Sequence, residues 1–336
     1  MNNKKVYVFC PAASYTGGPT LAHQLCHCLR SNGIDAVMWY DCNPLKRAFI
    51  NPIHPRYEHF NNPYVLFPPK DSPDYSIIAL ESKVSLLRKY KKAHRYIWWM
   101  SVDNYFLNMY STLDLIKTRL FNFTPTIEYR KKYENKKRYS IIADSDITHL
   151  VQSEYARLFL ISRKINENKI FDLGDYLEEE ILKIDSAKYN NRNLKTVLYN
   201  PKKGFEFTSK LISIAPELKW TPLENMTKQQ VSDKLLSSRL YIDFGNHPGK
   251  DRFPREAAIC GCCVITGKRG SAANSIDIPI PEDYKFDEST DPHTIINKIR
   301  EVLNNYELCS KDFDSYRDSI RREKASFERQ VVSIFK

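Results

Sequence analysis

Apolar runs of strand length alternate with stretches of helical periodicity along most of this chain, and that alternation restricts it to one broad architecture. Residues 5–9 form a short apolar run. After the segment 11–19 it gives way to a helical pattern through Leu21, Leu25, Cys28 and Leu29. Asn32-Gly33 stops that helix, and residues 35–40 make the next strand. Residues 75–80 and 95–101 read as buried strands with a basic helix, 83–92, between them. Residues 147–151 form a further strand, leading into a helix over 154–161. Strands joined through helices lie parallel, because each crossover returns the chain to the same end of the sheet. Helices then cover both faces.

The polar stretch 185–195 breaks the pattern and reads as a linker. Beyond it the alternation restarts with a strand at 196–200. A helix at 208–214, a strand near Trp220 and a helix at 227–237 follow. A strand at 239–244, a helix at 255–260 and a strand at 262–266 complete the series. Residues 291–305 and 313–335 read as closing helices. The length of 336 residues is roughly twice the usual domain size and agrees with two halves. The expected organisation is a Rossmann-like domain over 1–185, a second over 186–310, and a C-terminal helix, 311–336, packing back toward the first. In such α/β halves a ligand crevice lies at the C-terminal ends of the strands.

Charge narrows the partner. Fifty-one Lys and Arg against 40 Asp and Glu leave +11, which calls for nucleic acid, a membrane surface or a phosphate-bearing small molecule. Two basic runs, 83–95 and 130–138, hold much of the surplus, and aromatic residues flank both. That pattern suits an anionic lipid leaflet, or equally a solvated cationic face. No recognised nucleic-acid module accompanies the runs, so nucleic acid is not an expected partner. The start of the chain lacks a signal-peptide core, and the longest apolar stretches, 95–102 and 259–266, are only strand-sized. The expected location is the cytoplasm, with peripheral attachment to the inner face of the cell membrane left open. The eight cysteines read as small buried hydrophobes with free thiols.

Glycine is scarce, at 10 residues, so its placement informs. Gly17-Gly18 stands between the first strand and its helix, where a tight turn and a helix N-terminus make an anion site; an ordinary loop pair is the alternative. Lys202-Lys203-Gly204 follows the first strand of the second half, and two lysines there can neutralise a diphosphate. The most informative run is 241–266. A strand ends at Phe244, a Gly/Pro loop carries Lys250, Arg252 and Arg255, and a helix starts near Pro254. Glu256 in that helix is either a helix-dipole partner or an acceptor for a ribose diol. The three neighbouring cations favour a nucleotide site.

Residues 244–266 resemble the donor-site signature of GT-B fold glycosyltransferases, especially the family 4 type. There a Glu opens a helix that continues into Ala, a small residue and Gly-x-Pro-Val-Ile. Glu256-Ala257-Ala258-Ile259-Cys260-Gly261-Cys262-Cys263-Val264-Ile265 is similar, with Cys in the place of Pro. Thr16-Gly17-Gly18-Pro19, the segment from His149 to Ala156, Asn200 to Gly204 and Gly270-Ser271-Ala272 line up with further family segments in order. The resemblance implies two doubly wound domains facing a central cleft. It implies that Glu256 holds the ribose, and that Lys203 or Lys202 binds donor phosphates together with Arg252 or Lys250. It also implies that Gly17 and Gly18 let backbone approach the donor or the acceptor, and that Gly270 and Ser271 stand in a turn that meets the donor diphosphate. The family's second Glu, eight residues before the first, is Pro248 here. Asp251 is the nearest acidic substitute. No metal or other cofactor is expected, because cationic side chains and a helix N-terminus can hold a leaving diphosphate.

The first half is the expected acceptor side. Asp103, after the strand at 95–101, and Glu81, after the strand at 75–80, are acid/base candidates, with a loop cap the plain alternative for Asp103. Trp98-Trp99 is core or a sugar-stacking platform, and core is favoured. His23 and His27 at i, i+4 suggest a metal pair but lack a third ligand at suitable spacing. The expected activity is sugar transfer from a nucleotide-linked donor to a bacterial polysaccharide or lipid-linked glycan. The rivals are a sugar-nucleotide epimerase or phosphoribosyl-type transferase on the same fold, an inactive membrane scaffold, and a basic nucleic-acid-binding protein.

Overall fold

The computed structural model describes residues 5–41, 51–107, 109, 111–121, 125–134, 140–184 and 192–336. Residues 185–191 of the expected linker, and residues 135–138 of the second basic run, lie outside them, and residues 193–195 of that linker belong to a strand, Asn193–Tyr199. The chain forms two units. The first comprises Met1–Asp175 together with Ser326–Lys336, and the second Tyr176–Ala325.

The first unit carries β1 (Lys5–Pro11), α1 (Gly17–Ser31), β2 (Ala36–Asp41), β3 (Tyr64–Val65), β4 (Tyr75–Leu80) and β5 (His94–Trp99). Three short helices follow: α2 (Val102–Leu107), α3 (Thr112–Phe121) and α4 (Ile127–Lys131). Then come β6 (Ile147–Val151), α5 (Glu154–Ser162) and β7 (Ile170–Asp172). All strands are parallel, in the order β3-β2-β1-β4-β5-β6-β7. The helical stripe of α1 is buried at Leu21, Leu25, Cys28 and Leu29. Trp98 and Trp99 are fully buried, so both belong to the core; their indole N–H groups donate to the Leu173 carbonyl and to His149 Nδ1. His23 is likewise a core residue, bonded to the Tyr40 hydroxyl at 2.9 Å. The last turns of the C-terminal helix close this unit, with Phe327 stacked on Trp98 and Gln330 accepting from the Gly174 amide.

The second unit carries α6 (Glu179–Leu182), β8 (Asn193–Tyr199), α7 (Phe205–Ile214), β9 (Lys219–Pro222), α8 (Lys228–Leu236) and β10 (Ser238–Asp243). It continues through α9 (Arg252–Ile259), β11 (Cys263–Gly267), β12 (Lys285–Phe286), α10 (Pro292–Asn304) and α11 (Tyr306–Cys309). The helix α12 (Asp314–Phe335) begins here and ends in the first unit. The sheet is again all parallel, in the order β12-β11-β10-β8-β9. Leu240, Tyr241 and Ile242 pair with Val197, Leu198 and Tyr199, and all six are buried, on alternate faces of the sheet. That double-sided burial is why these strands read as continuous apolar runs.

The stretch expected to be a basic helix over 83–92 is a 3-10 segment, Glu81–Lys89, kinked at Lys83. The cations of the basic run 83–95 are partly absorbed: Lys89 lies over the rings of Trp39 and Tyr90, and Arg95, in β5, is buried against Asp144 at 2.9 Å. Among the described residues no helix is long and apolar enough to cross a membrane.

Candidate active site

Strand order decides where each sheet offers a binding crevice. In the second unit β8 neighbours β9 on one side and β10 on the other. The chain therefore leaves β8 and β10 toward opposite faces, which opens a crevice at their C-terminal ends. The loop 200–204 follows β8, and the loop 244–251 follows β10. The sequence-selected Lys202, Lys203, Lys250 and Asp251 therefore stand at the switch point of a single sheet.

Close backbone contact locks these loops together. Gly204 opens α7 with φ of 62°, and a Cβ there would fall 2.4 Å from the Phe244 carbonyl carbon. Gly270, also at positive φ, would place a Cβ 2.1 Å from the His247 carbonyl oxygen. Only glycine fits either approach. The Ser271 amide donates to that carbonyl at 2.8 Å, and the Ser271 hydroxyl donates to the Gly249 carbonyl at 2.7 Å. Gly270 and Ser271 thus brace the loop from behind; Ser271 is fully buried.

A line of charged groups runs through the braced loop. Asp243 ends β10, accepts from the Tyr241 hydroxyl and the Gly245 amide at 2.9 Å each, and is 3% exposed. His247 is completely buried, with Nε2 3.5 Å from Asp243 and Nδ1 3.0 Å from Asp251. Neither contact has full hydrogen-bond geometry, so the attraction is chiefly between opposite charges. Burial works against a charged imidazole here, but the two carboxylates outweigh it and raise its pKa to about 9. Asp251 then receives Lys203 Nζ at 2.6 Å. Burial also works against the Asp251 charge, and His247 with Lys203 still holds its carboxyl below the usual value.

The start of α9 adds a second cluster. Arg252 Nε donates to Glu256 Oε1 at 3.2 Å, and its other end lies 3.7 Å from Glu178. Glu256 keeps 17% of its side chain exposed. Lys250 pairs with Glu323 at 2.7 Å. Arg255 does not reach the loop surface: it is 1% exposed and donates to Glu323 and to the carbonyls of Asp251 and Lys250. It holds the loop rather than facing a ligand. Lys202 is exposed, with its amide tied to the Asn200 side chain. Sequence reasoning missed His247, Asp243, Glu178 and Glu323. The spacing Asp243-x3-His247-x3-Asp251 was a visible signal, but in a loop it carries no periodicity.

In the first unit the switch point falls between β1 and β4, since β2 and β3 lie on one side and β5 to β7 on the other. Gly17 and Gly18 start α1 directly after β1, and Glu81 follows β4. Gly18 faces Met100 and Leu80. Glu81 is 2% exposed and accepts from the Met100 amide at 3.2 Å. Burial pushes its pKa up to about 7, against the pull of that hydrogen bond. A carboxyl poised near neutrality suits proton transfer. Asp103 sits in the first turn of α2, half-buried.

No protein-family model matches this sequence. No curated protein matches it either. Solved structures do match in fold. Sucrose-phosphate synthase from Thermosynechococcus elongatus aligns with TM-score 0.65 at 12% identity, over 99% of this chain and 98% of that one. HepE of Anabaena, in complex with UDP-glucose, aligns with TM-score 0.57 at 12% identity, over 98% of both chains. TarM aligns with TM-score 0.50 at 16% identity over 80% of this chain, which spans only 56% of the TarM chain. At such identities the likeness speaks for architecture alone. The chain is an α/β protein with the GT-B glycosyltransferase fold.

Proposed function

We propose that the chain is a glycosyltransferase of the family 4 type that takes a hexosyl or pentosyl group from a nucleotide-linked donor. The observation that carries this reading is the convergence of Lys203, Arg252 and Glu256 around the β8–β10 switch point. Lys203 and Arg252 are held by carboxylates before a ligand arrives, so they need little reorganisation to stabilise a leaving diphosphate. Lys202 and Lys250 lie in the same loops and add positive charge. Glu256 would accept hydrogen bonds from the ribose hydroxyls. Side chains and the α9 N-terminus thus take the task that a metal performs elsewhere. Asp251, tied to Lys203, positions that lysine; Glu81 and Asp103 are the proton-transfer candidates. HepE was solved with UDP-glucose, which favours a uridine donor here. The acceptor in this reading is a bacterial surface glycan or its lipid-linked precursor.

A thermal-shift screen against nucleotide diphosphates and their sugars tests the reading. One base should raise the melting temperature by several degrees at saturating ligand, following the mass-action relation between occupancy and stability. No shift with any nucleotide would contradict it. Turnover of the sugar nucleotide without an acceptor would point instead to an epimerase.

A further inference from the structure

We propose that α3 is a membrane-docking helix whose outward face inserts into the surface of an anionic lipid bilayer. This helix carries its polarity the wrong way round for a surface facing water. Asp114 is turned inward, 2% exposed, accepting from the Ser111 amide and the Tyr129 hydroxyl at 2.8 Å each. Leu113, Ile116 and Leu120 fall at i, i+3 and i+7 along one outward stripe and are 58%, 46% and 68% exposed. Leu107, closing α2, is 46% exposed as well. A run of large apolar side chains on one exposed face marks an interaction surface.

Charge selects the occupant. Tyr129 ties α4 to α3, so the cations of α4 are carried beside the apolar stripe. Arg130 donates to the Leu107 carbonyl, Lys131 reaches over the Phe106 ring, and Lys132 lies over Tyr129. Lys117 is exposed on α3 itself, one turn before Leu120. Over residues 111–134 the sequence carries five Lys and Arg against three carboxylates. Of those three, Asp114 is buried and Glu134 is spent on a two-pronged contact with Arg163. A second copy of this chain would bring the same positive charge to the interface, so self-association is disfavoured. A bilayer rich in anionic headgroups satisfies both halves of the surface: leucines enter the acyl boundary while lysines and arginines meet phosphates. The inference does not depend on the transferase reading.

Vesicle sedimentation tests it with the full chain. The protein should bind phosphatidylcholine vesicles containing about one third phosphatidylglycerol at least about tenfold more tightly than pure phosphatidylcholine, and less tightly as salt rises. Combining Leu113→Ser, Ile116→Ser and Leu120→Ser should weaken that binding about tenfold or more. An unchanged melting temperature would show that this variant is folded. An Ile116→Trp variant should shift its fluorescence to the blue on adding anionic vesicles. Absence of binding, equal binding by the triple variant, or an unmoved Trp signal on bound protein would overturn the proposal. So would a dimer that the triple substitution converts to monomer.

Discussion

Glu256→Ala is expected to lower kcat/KM for the sugar donor by about a hundredfold or more while the protein stays folded. Two hydrogen bonds from a ribose diol to a carboxylate, at about 1.5 kcal/mol or more each, amount to roughly 3 kcal/mol, or about two powers of ten. The loss to stability should be small. Glu256 is partly exposed, its partner Arg252 also faces Glu178, and such pairs contribute up to about 1 kcal/mol. Steady-state kinetics across donor concentrations, with a melting curve, measure both quantities. Because the lost contacts hold the nucleoside in ground and transition states alike, the effect should appear mainly in KM. A variant with unchanged kinetics would remove Glu256 from the donor site.

His247→Leu is expected to unfold or severely weaken the second unit. It strips the cation held between two carboxylates, one of them 3% exposed, and breaking a buried pair in this way costs about 3–5 kcal/mol. The pH dependence has a definite sign. The folded pKa of His247, about 9, lies above the ordinary value of 6.5. Its stabilisation is therefore complete below about pH 6.5 and is lost as pH rises through 9. Wild type should lose on the order of 3 kcal/mol across that window, and His247→Gln should flatten the slope. Urea unfolding at a series of pH values reads this directly. A His247→Gln profile parallel to wild type would mean that the imidazole is neutral.

Much of the sheet was legible because a parallel strand buried on both faces reads as an unbroken apolar run: 75–80 and 147–151 coincide with β4 and β6 residue for residue. The short edge strands β3, β7 and β12 were not, since two or three residues cannot set a period. Nor were α2 to α4, whose exposed apolar stripe on α3 contradicts the usual inward pattern. The loops of the candidate site were legible through Gly, Pro and cations following strand ends. Their electrostatics were not. Glu178 and Glu323 come from distant segments, and nothing local says that His247 is buried or that Arg255 turns inward to Glu323.

A nucleotide is expected to bind at the β8–β10 switch point. Hydrogen–deuterium exchange with and without the nucleotide that stabilises the protein tests it without any substitution. Exchange should slow in residues 200–204, 244–256 and 268–271. Protection confined to other segments, such as the basic run at 83–95, would contradict it.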